Sequence, residues 1–259
     1  MTGDAYTKKM PVVEIFGPTI QGEGIDQGRP CNFIRFGGCD FKCEWCDTPF
    51  AVLPHLVRQA KRMDTHEIVD AVVRVPGSAE WVILTGGNPC LHQLSPLITR
   101  LHTYSLKASV ETQGTRWKSW LLQADRVCVS PKGPSSGMKF NEEEFSDFMA
   151  RLQSEVNWRA NDNWRFLKVV VFDQADYEFA QQIHQWYHNV PFFLSAGNDA
   201  GSTVGDPNRV DERSLGAVRT DLLNKALWLT NRVMVDPLMK DAIVQTQQHV
   251  MLWGNERGR

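Results

Sequence analysis

Charge of one sign is the first thing this sequence lacks. Its 28 lysines and arginines nearly cancel 30 aspartates and glutamates, leaving a formal charge of −2. A broad nucleic-acid or membrane-surface footprint needs a basic excess, so neither partner is expected. Long apolar runs are missing as well. No stretch approaches the ~20 residues of a membrane span, and the opening MTGDAYTKKMPVVEIF has no apolar signal core. Cysteine is sparse, six in 259 residues, which excludes a disulfide-stapled scaffold. No repeat, low-complexity block or obvious linker interrupts the chain. These absences lead us to expect a cytoplasmic globular protein forming one unit over residues 1–259, with 42% hydrophobic residues to supply its core.

Half of the cysteines fall within eight residues: Cys39, Cys43 and Cys46, in GGCDFKCEWCDT. The others, Cys31, Cys90 and Cys128, adjoin apolar runs and read as buried free thiols of a reducing compartment. A loop of this spacing can wrap a [4Fe-4S] cubane, for which Cys thiolates are the usual ligands. Three thiolates leave one iron open, and the amino and carboxylate groups of S-adenosylmethionine can chelate it. The loop resembles that of the radical S-adenosylmethionine enzymes. A structural zinc site is the competing reading, with Cys31 or a histidine as fourth ligand. Against it, no second CxxC pair accompanies the loop. The HxxxH pair, His184 and His188, lies far beyond the ~12–15 residues expected of a zinc finger. These two histidines lack the glutamate of HExxH and read as a solvated helix face.

Short β-rich runs alternate with helical patterns along the chain. Residues 32–36, 81–85, 108–111, 126–130, 166–172 and 191–195 are the expected strands. Helices are expected from Thr65 as N-cap to about Val73, through about Tyr104, over 175–188 and over 212–227. This alternation implies βαβ units and a parallel sheet. Six strands fall short of a closed eightfold barrel, so the expected fold is α/β, a partial (β/α)6-type barrel. In such folds function gathers at the C-terminal strand ends. The polar motifs here begin where apolar runs stop, at Gly37, Thr85, Glu111, Ser130 and Ser195.

Thr85-Gly86-Gly87-Asn88-Pro89 follows a strand, and its two glycines allow close backbone approach to a ligand. Taken with the cysteine loop, it is similar to the glycine-rich motif of radical S-adenosylmethionine enzymes, which lies against the methionine ammonium. Many members have Glu where this chain has Asn88, whose carbonyl can still accept from an ammonium. Ahead of the loop, EIFGPTIQGEG (residues 14–24) carries an amide and a carboxylate in an irregular, Gly-flanked segment. With the cysteine loop it resembles the N-terminus of the 7-carboxy-7-deazaguanine synthases. The resemblance continues through Arg35, CxxxCxxCDT, TGGNP, Glu111-Thr112-Gln113-Gly114, Ser130-Pro131-Lys132 and Leu252-Trp253-Gly254-Asn255, and so covers essentially the whole chain.

That resemblance implies a set of roles. Cys39, Cys43 and Cys46, in the loop 39–46, hold the [4Fe-4S] cluster. Trp45, Cys46, Asp47, Gly87, Asn88, Ser130, Pro131 and Lys132 meet S-adenosylmethionine, with Gly197 and Asn198, in Ala196–Asp199, carried over weakly. Thr48 binds Mg²⁺, a hard cation suited to oxygen ligands. An N-terminal segment, about 11–36, recognises a pterin through Ile20, Gln21, Gly22, Glu23 and Arg35, joined by Thr85. Glu23 is suited to a guanidine-like donor edge and Arg35 to a carboxylate. For Arg35 alone, a strand-edge salt bridge is the alternative. The implied reaction converts 6-carboxy-5,6,7,8-tetrahydropterin to 7-carboxy-7-deazaguanine with loss of ammonia. It needs an electron donor such as flavodoxin or ferredoxin, and the family is typically homodimeric. Two rivals are another radical S-adenosylmethionine enzyme, such as a glycyl-radical activase, and a non-catalytic zinc module. Metal and sulfide analysis separates the second.

Overall fold

The computed structural model describes residues 4–154, 164–198 and 213–259. Its elements run α1 (Asp4–Thr7), β1 (Met10–Ile20), β2 (Pro30–Phe36), α2 (Pro54–Val57), β3 (Lys61–Met63), α3 (Thr65–Val73) and β4 (Trp81–Gly86). There follow α4 (Ser95–Thr103), β5 (Lys107–Thr112), β6 (Arg126–Val129), α5 (Glu142–Ser154), β7 (Arg165–Val171) and α6 (Gln174–Trp186). The chain closes with β8 (Phe192–Ala196), α7 (Leu215–Met234), β9 (Ile243–Gln245) and α8 (Gln248–Trp253). The nine strands form one open sheet in the order β3-β1-β2-β4-β5-β6-β7-β8-β9. From β2 to β9 every neighbouring pair is parallel. β1 runs antiparallel to both β2 and β3.

The six expected strands are therefore present in one parallel run, extended by the short β9. The antiparallel pair was not anticipated. β1 contains Gly17-Pro18 and breaks register between Phe16 and Thr19. A proline inside a strand reads as a turn, and that hid this one. Helix boundaries also differ, and α6 ends at Trp186 rather than His188. Asp64, not Thr65, caps α3: its side chain accepts from the Glu67 amide and the Glu67 side chain accepts from Asp64 N–H, a closed capping box. α7 continues to Met234 rather than Leu227, and the expected start at residue 212 lies outside the described residues.

Side chains alternate across each strand, and the alternation builds two different faces. One face, with Ile34, Phe36, Val82, Leu84, Val110, Val127, Val129, Leu167, Val169 and Leu194, belongs to the main core under the helices. The other faces the barrel interior and changes character along the strands. Near the strand starts it is apolar: Cys31, Phe33, Trp81 and Ile83 form one cluster, and Cys128, Phe166 and Phe193 another, capped by Ile25. One step further it becomes polar, with Arg35, Thr85, Glu111, Ser130 and Lys168 lining an open cavity. Apolar layers thus close one end of the interior and leave the chemistry at the other.

The expected solvated histidine face needs correction. His188 is exposed, but His184 is buried, packed edge-on against Phe192 at 5.0 Å, with Nε2 3.2 Å from Asp241. α6 points that turn at the sheet, where an imidazole is covered on its apolar faces and keeps one polar contact.

Candidate functional site

The loop between β2 and α2 carries the three clustered cysteines, and all three thiols line one cavity of about 140 Å³. Asp40, between two of them, pins the loop. It accepts from Asn88 Nδ2 at 2.8 Å, Gln113 Nε2 at 2.6 Å and Thr115 Oγ1 at 2.6 Å, with Arg116 Nε at 3.3 Å. The loop is thereby tied to the segments that follow β4 and β5. Gly86 and Gly87 make the same junction possible. A Cβ at Gly86 would stand 2.1 Å from the Phe36 carbonyl oxygen, and one at Gly87 would stand 2.0 Å from that of Gly38. In their place run backbone bonds from Gly87 N to Phe36 O, 3.0 Å, and from Asn88 N to Gly38 O, 2.7 Å.

Asn88 requires a second correction. Its side chain is fully buried, and its Oδ1 already accepts from Cys90 N at 3.1 Å and Thr112 Oγ1 at 3.0 Å. Both lone pairs of that oxygen are used, so it does not wait for an ammonium. Asn88 acts in this structure as a pin between loops.

Burial pushes each clustered thiol up to about 11, with Asp40 and Asp47 adding repulsion and Lys132 opposing it at Cys39 and Cys43. Such thiols become thiolates when a positive centre compensates them, and a bound metal centre supplies that charge. Among the described residues no three His, Cys, Asp or Glu side chains converge as ligands of one ion. Cys31, Cys90 and Cys128 are buried free thiols, as expected, each pushed up to about 12 mainly by burial. Cys128 also contributes to the wall of the cysteine-lined cavity.

A second cavity, about 200 Å³, adjoins the first and shares Trp45, Asp47, Thr48, Thr85, Glu111, Ser130, Lys132 and Lys168 with it. Its remaining wall includes Ile20, Gln21, Gly22, Glu23, Arg35 and Asn198. Most of the expected site residues therefore meet around two adjoining spaces. Gly87 lines the cysteine-side space. Pro131 lines a separate crevice beside Phe140 and Phe145, and Gly197 sits beneath the Phe172 ring rather than in the wall. Asp199 lies outside the described residues.

The polar partners inside the larger cavity are specific. Arg35 and Glu14 are cross-strand partners of β2 and β1, joined Nε to Oε1 at 2.7 Å, and Glu14 also takes Arg257 Nε at 2.8 Å. The salt bridge considered for Arg35 thus exists, and Arg35 lines the cavity as well. Glu111 accepts from Gln21 Nε2 at 3.0 Å and Thr85 Oγ1 at 2.8 Å, which resolves its partners. Glu23 accepts from Lys168 Nζ at 2.8 Å and from Ser195 Oγ. Burial alone would raise the Glu23 carboxyl, but Lys168 outweighs it and brings the group down to about 2. Lys168 is raised in turn: burial lowers it, and Glu23 and Glu111 more than reverse that. Lys132 Nζ donates to Ser130 Oγ at 2.9 Å and lies 5.7 Å from the Trp45 ring. Thr48 begins a short turn without capping it; its hydroxyl lies 3.8 Å from Cys46 Sγ and lines both cavities.

Sequence reasoning missed Lys168, His249, Gln247 and Arg259, all in the wall of the larger cavity. Lys168 left one signal, a lone cation inside the apolar run FLKVVVF. His249 left none. It packs where a side chain at Gly22 would have to be, 1.8 Å from the would-be Cβ, and burial lowers its imidazole against the pull of Glu23 and Asp47.

No protein-family model matches the chain. It is 40% identical over 252 residues to a 7-carboxy-7-deazaguanine synthase of Bacillus cereus, covering 96% of this chain and 99% of that one. Similarity to the enzyme of that name from Bacillus subtilis is 38% over 253 residues, covering 97% and 99%. The crystal structure of QueE from Escherichia coli shares the fold, with a TM-score of 0.60 and 21% identity over 96% of this chain and 99% of that chain. Near-complete coverage at this identity, on a loop of three thiols facing one cavity, places the chain in the 7-carboxy-7-deazaguanine synthase family, whose members are radical S-adenosylmethionine lyases.

Proposed function

We infer that the chain converts 6-carboxy-5,6,7,8-tetrahydropterin to 7-carboxy-7-deazaguanine, a ring contraction with loss of ammonia that feeds queuosine and related 7-deazapurines. One observation carries the reading: a cavity lined by three clustered thiols shares lining residues with a second one walled by an arginine and two anchored carboxylates. The donor set fits a [4Fe-4S] cluster held by Cys39, Cys43 and Cys46, with S-adenosylmethionine against Trp45, Asp47, Gly87, Ser130 and Lys132. When bound, these groups supply one-electron reductive cleavage and abstraction of hydrogen from C6 of the pterin.

The protein's own part is recognition and orientation. Arg35 meets the C6 carboxylate, for which its planar fork is suited. Glu23 accepts the guanidine-like edge, and Gln21, held by Glu111, flanks it. Apolar layers below and Trp45 with Phe172 above exclude water, the two rings packing at 5.2 Å. Mg²⁺ at Thr48 belongs to this reading, supported by a hydroxyl that caps no turn yet lines both cavities. So do a homodimer, a flavodoxin or ferredoxin donor, and a cytoplasmic setting. Exposed apolar Leu223, Leu227, Met234 and Val235 on and beside α7 support an assembly. The absence of any disulfide among the described residues supports a reducing compartment. Among the described residues no helix is long and apolar enough to cross a membrane.

Arg35→Ala tests the substrate assignment. Truncating one partner of a desolvated charged pair costs about 2–5 kcal/mol. The variant should lose most carboxytetrahydropterin turnover while keeping its cluster, and should be nearly indifferent to removal of the substrate carboxylate. Discrimination against the decarboxylated pterin as strong as in the wild type would remove Arg35 from that role.

A further inference from the structure

A lysine in the middle of β7, with its ammonium inside the barrel, requires an explanation. The main-core positions beside it in β7 are the apolar Leu167 and Val169, and a buried ion pair is no general source of stability. A matched apolar pair would fill the same volume at equal or lower free energy. Yet Lys168 lines both cavities, and its Nζ lies 2.8 Å from Glu23 Oε2. The other Glu23 oxygen accepts from Ser195 at the end of β8. A carboxylate has about four acceptor sites, so two remain for a ligand. Two parallel N–H donors are what a guanidine-like pterin edge presents.

We infer that Lys168 is a positioning residue for the substrate: its ammonium holds the Glu23 carboxylate charged and fixed in the cavity wall, ready for the donor edge of the pterin. This rests on the pterin reading given above. The neighbouring charges are consistent with that role. Glu111 from β5 and Cys128 from β6 also face Lys168, and His249 from α8 faces Glu23. Asp47 and Lys132 stand further along the shared wall. Among the described residues Lys168 is the one cation in hydrogen-bond contact with Glu23. Without it, Glu23 keeps its burial and loses its main compensation, so its carboxyl rises toward the pH range in which the enzyme works.

Calorimetric binding of 6-carboxypterin to the cluster-loaded protein reads this without turnover. Lys168→Gln should bind the probe about tenfold more weakly than the wild type at pH 8, and the gap should widen by roughly another tenfold at pH 6, where the uncompensated Glu23 takes up a proton. In a Glu23→Gln background, replacing Lys168 should change affinity by less than about twofold at either pH, because the group through which it acts is gone. If Lys168→Gln does not fold, the charge-free pair Glu23→Gln/Lys168→Met compared with Glu23→Gln still reads the second arm, where a change beyond about twofold overturns the inference. A Lys168 effect that persists in the Glu23→Gln background overturns the inference, as does a Lys168→Gln protein that binds like the wild type at both pH values. If Glu23→Gln itself binds the probe normally, the pterin-edge assignment of Glu23 falls and the inference falls with it. That pattern is distinct from silence at Lys168 alone.

Discussion

Replacing Gly87 by alanine perturbs the cluster loop with a single methyl group. Its φ is not in the left-handed region, so the substitution adds volume without backbone strain. The new Cβ would stand 2.0 Å from the Gly38 carbonyl oxygen, 2.4 Å from its carbon and 2.9 Å from Cys39 N. An ordinary contact begins at 3.4 Å, so one segment must retreat by about 1.4 Å, the difference between those distances. All three atoms are backbone, and no side chain can rotate away. The retreat breaks Gly87 N to Phe36 O and Asn88 N to Gly38 O. Each bond left unmade in a buried setting costs about 1–3 kcal/mol, giving roughly 2–6 kcal/mol for the pair. The displaced residue, Cys39, is one of the three thiols. We expect urea unfolding of the cluster-free protein to shift by that amount, and iron and sulfide after reconstitution to fall well below one cluster per chain. Gly216→Ala is the control, because its Cβ would meet nothing closer than 3.9 Å. A Gly87→Ala protein with full cluster content and stability within about 0.5 kcal/mol of wild type would refute the close-approach argument.

Three further outcomes follow from the site. Asn88→Ala should lower unfolding stability by about 2–3 kcal/mol, since it strands Cys90 N and Thr112 Oγ1, while S-adenosylmethionine affinity changes little; calorimetry showing the reverse pattern would return Asn88 to the ligand site. Turnover should rise with added Mg²⁺, and Thr48→Ala should blunt that response with iron content unchanged; a rate indifferent to chelators would refute a metal role there. Glu23 is depressed from an ordinary 4.5 to about 2, so its contribution to stability is present above 4.5 and lost as pH falls toward 2. In Glu23→Gln that acid-side loss should shrink, and acid titration curves superimposable on wild type would contradict the pairing with Lys168.

The parallel strands were legible because each is an apolar run that stops at a polar motif, and every one of those stops, including Thr85, Glu111 and Ser130, lies at or beside the open end. β1 was hidden by Gly17-Pro18, and the extra turns of α7 by the lack of a stop signal at Leu227. The convergence of Cys39, Cys43 and Cys46 on one cavity is legible from spacing, since the three lie within eight residues. The partners of Glu23 and Gln21 are not. Glu23 meets Lys168 across 145 positions and Gln21 meets Glu111 across 90, distances at which no local pattern operates. Gly86 and Gly87 mark a close approach, and the backbone of Phe36 and Gly38 packs against them. For Asn88 the expectation is a carbonyl accepting from an ammonium, whereas its Oδ1 accepts from Cys90 N and Thr112 Oγ1, contacts that no local pattern announces.

The two adjoining cavities are expected to carry out the ring contraction. The direct measurement is anaerobic incubation of the reconstituted protein with a reductant, S-adenosylmethionine and 6-carboxy-5,6,7,8-tetrahydropterin, followed by mass spectrometry and an ammonia assay. The account predicts 7-carboxy-7-deazaguanine and ammonia in equal amounts, abolished by replacing Cys39, Cys43 or Cys46 and retained when Cys31 or Cys90 is replaced. S-adenosylmethionine cleavage with the pterin recovered unchanged would contradict it.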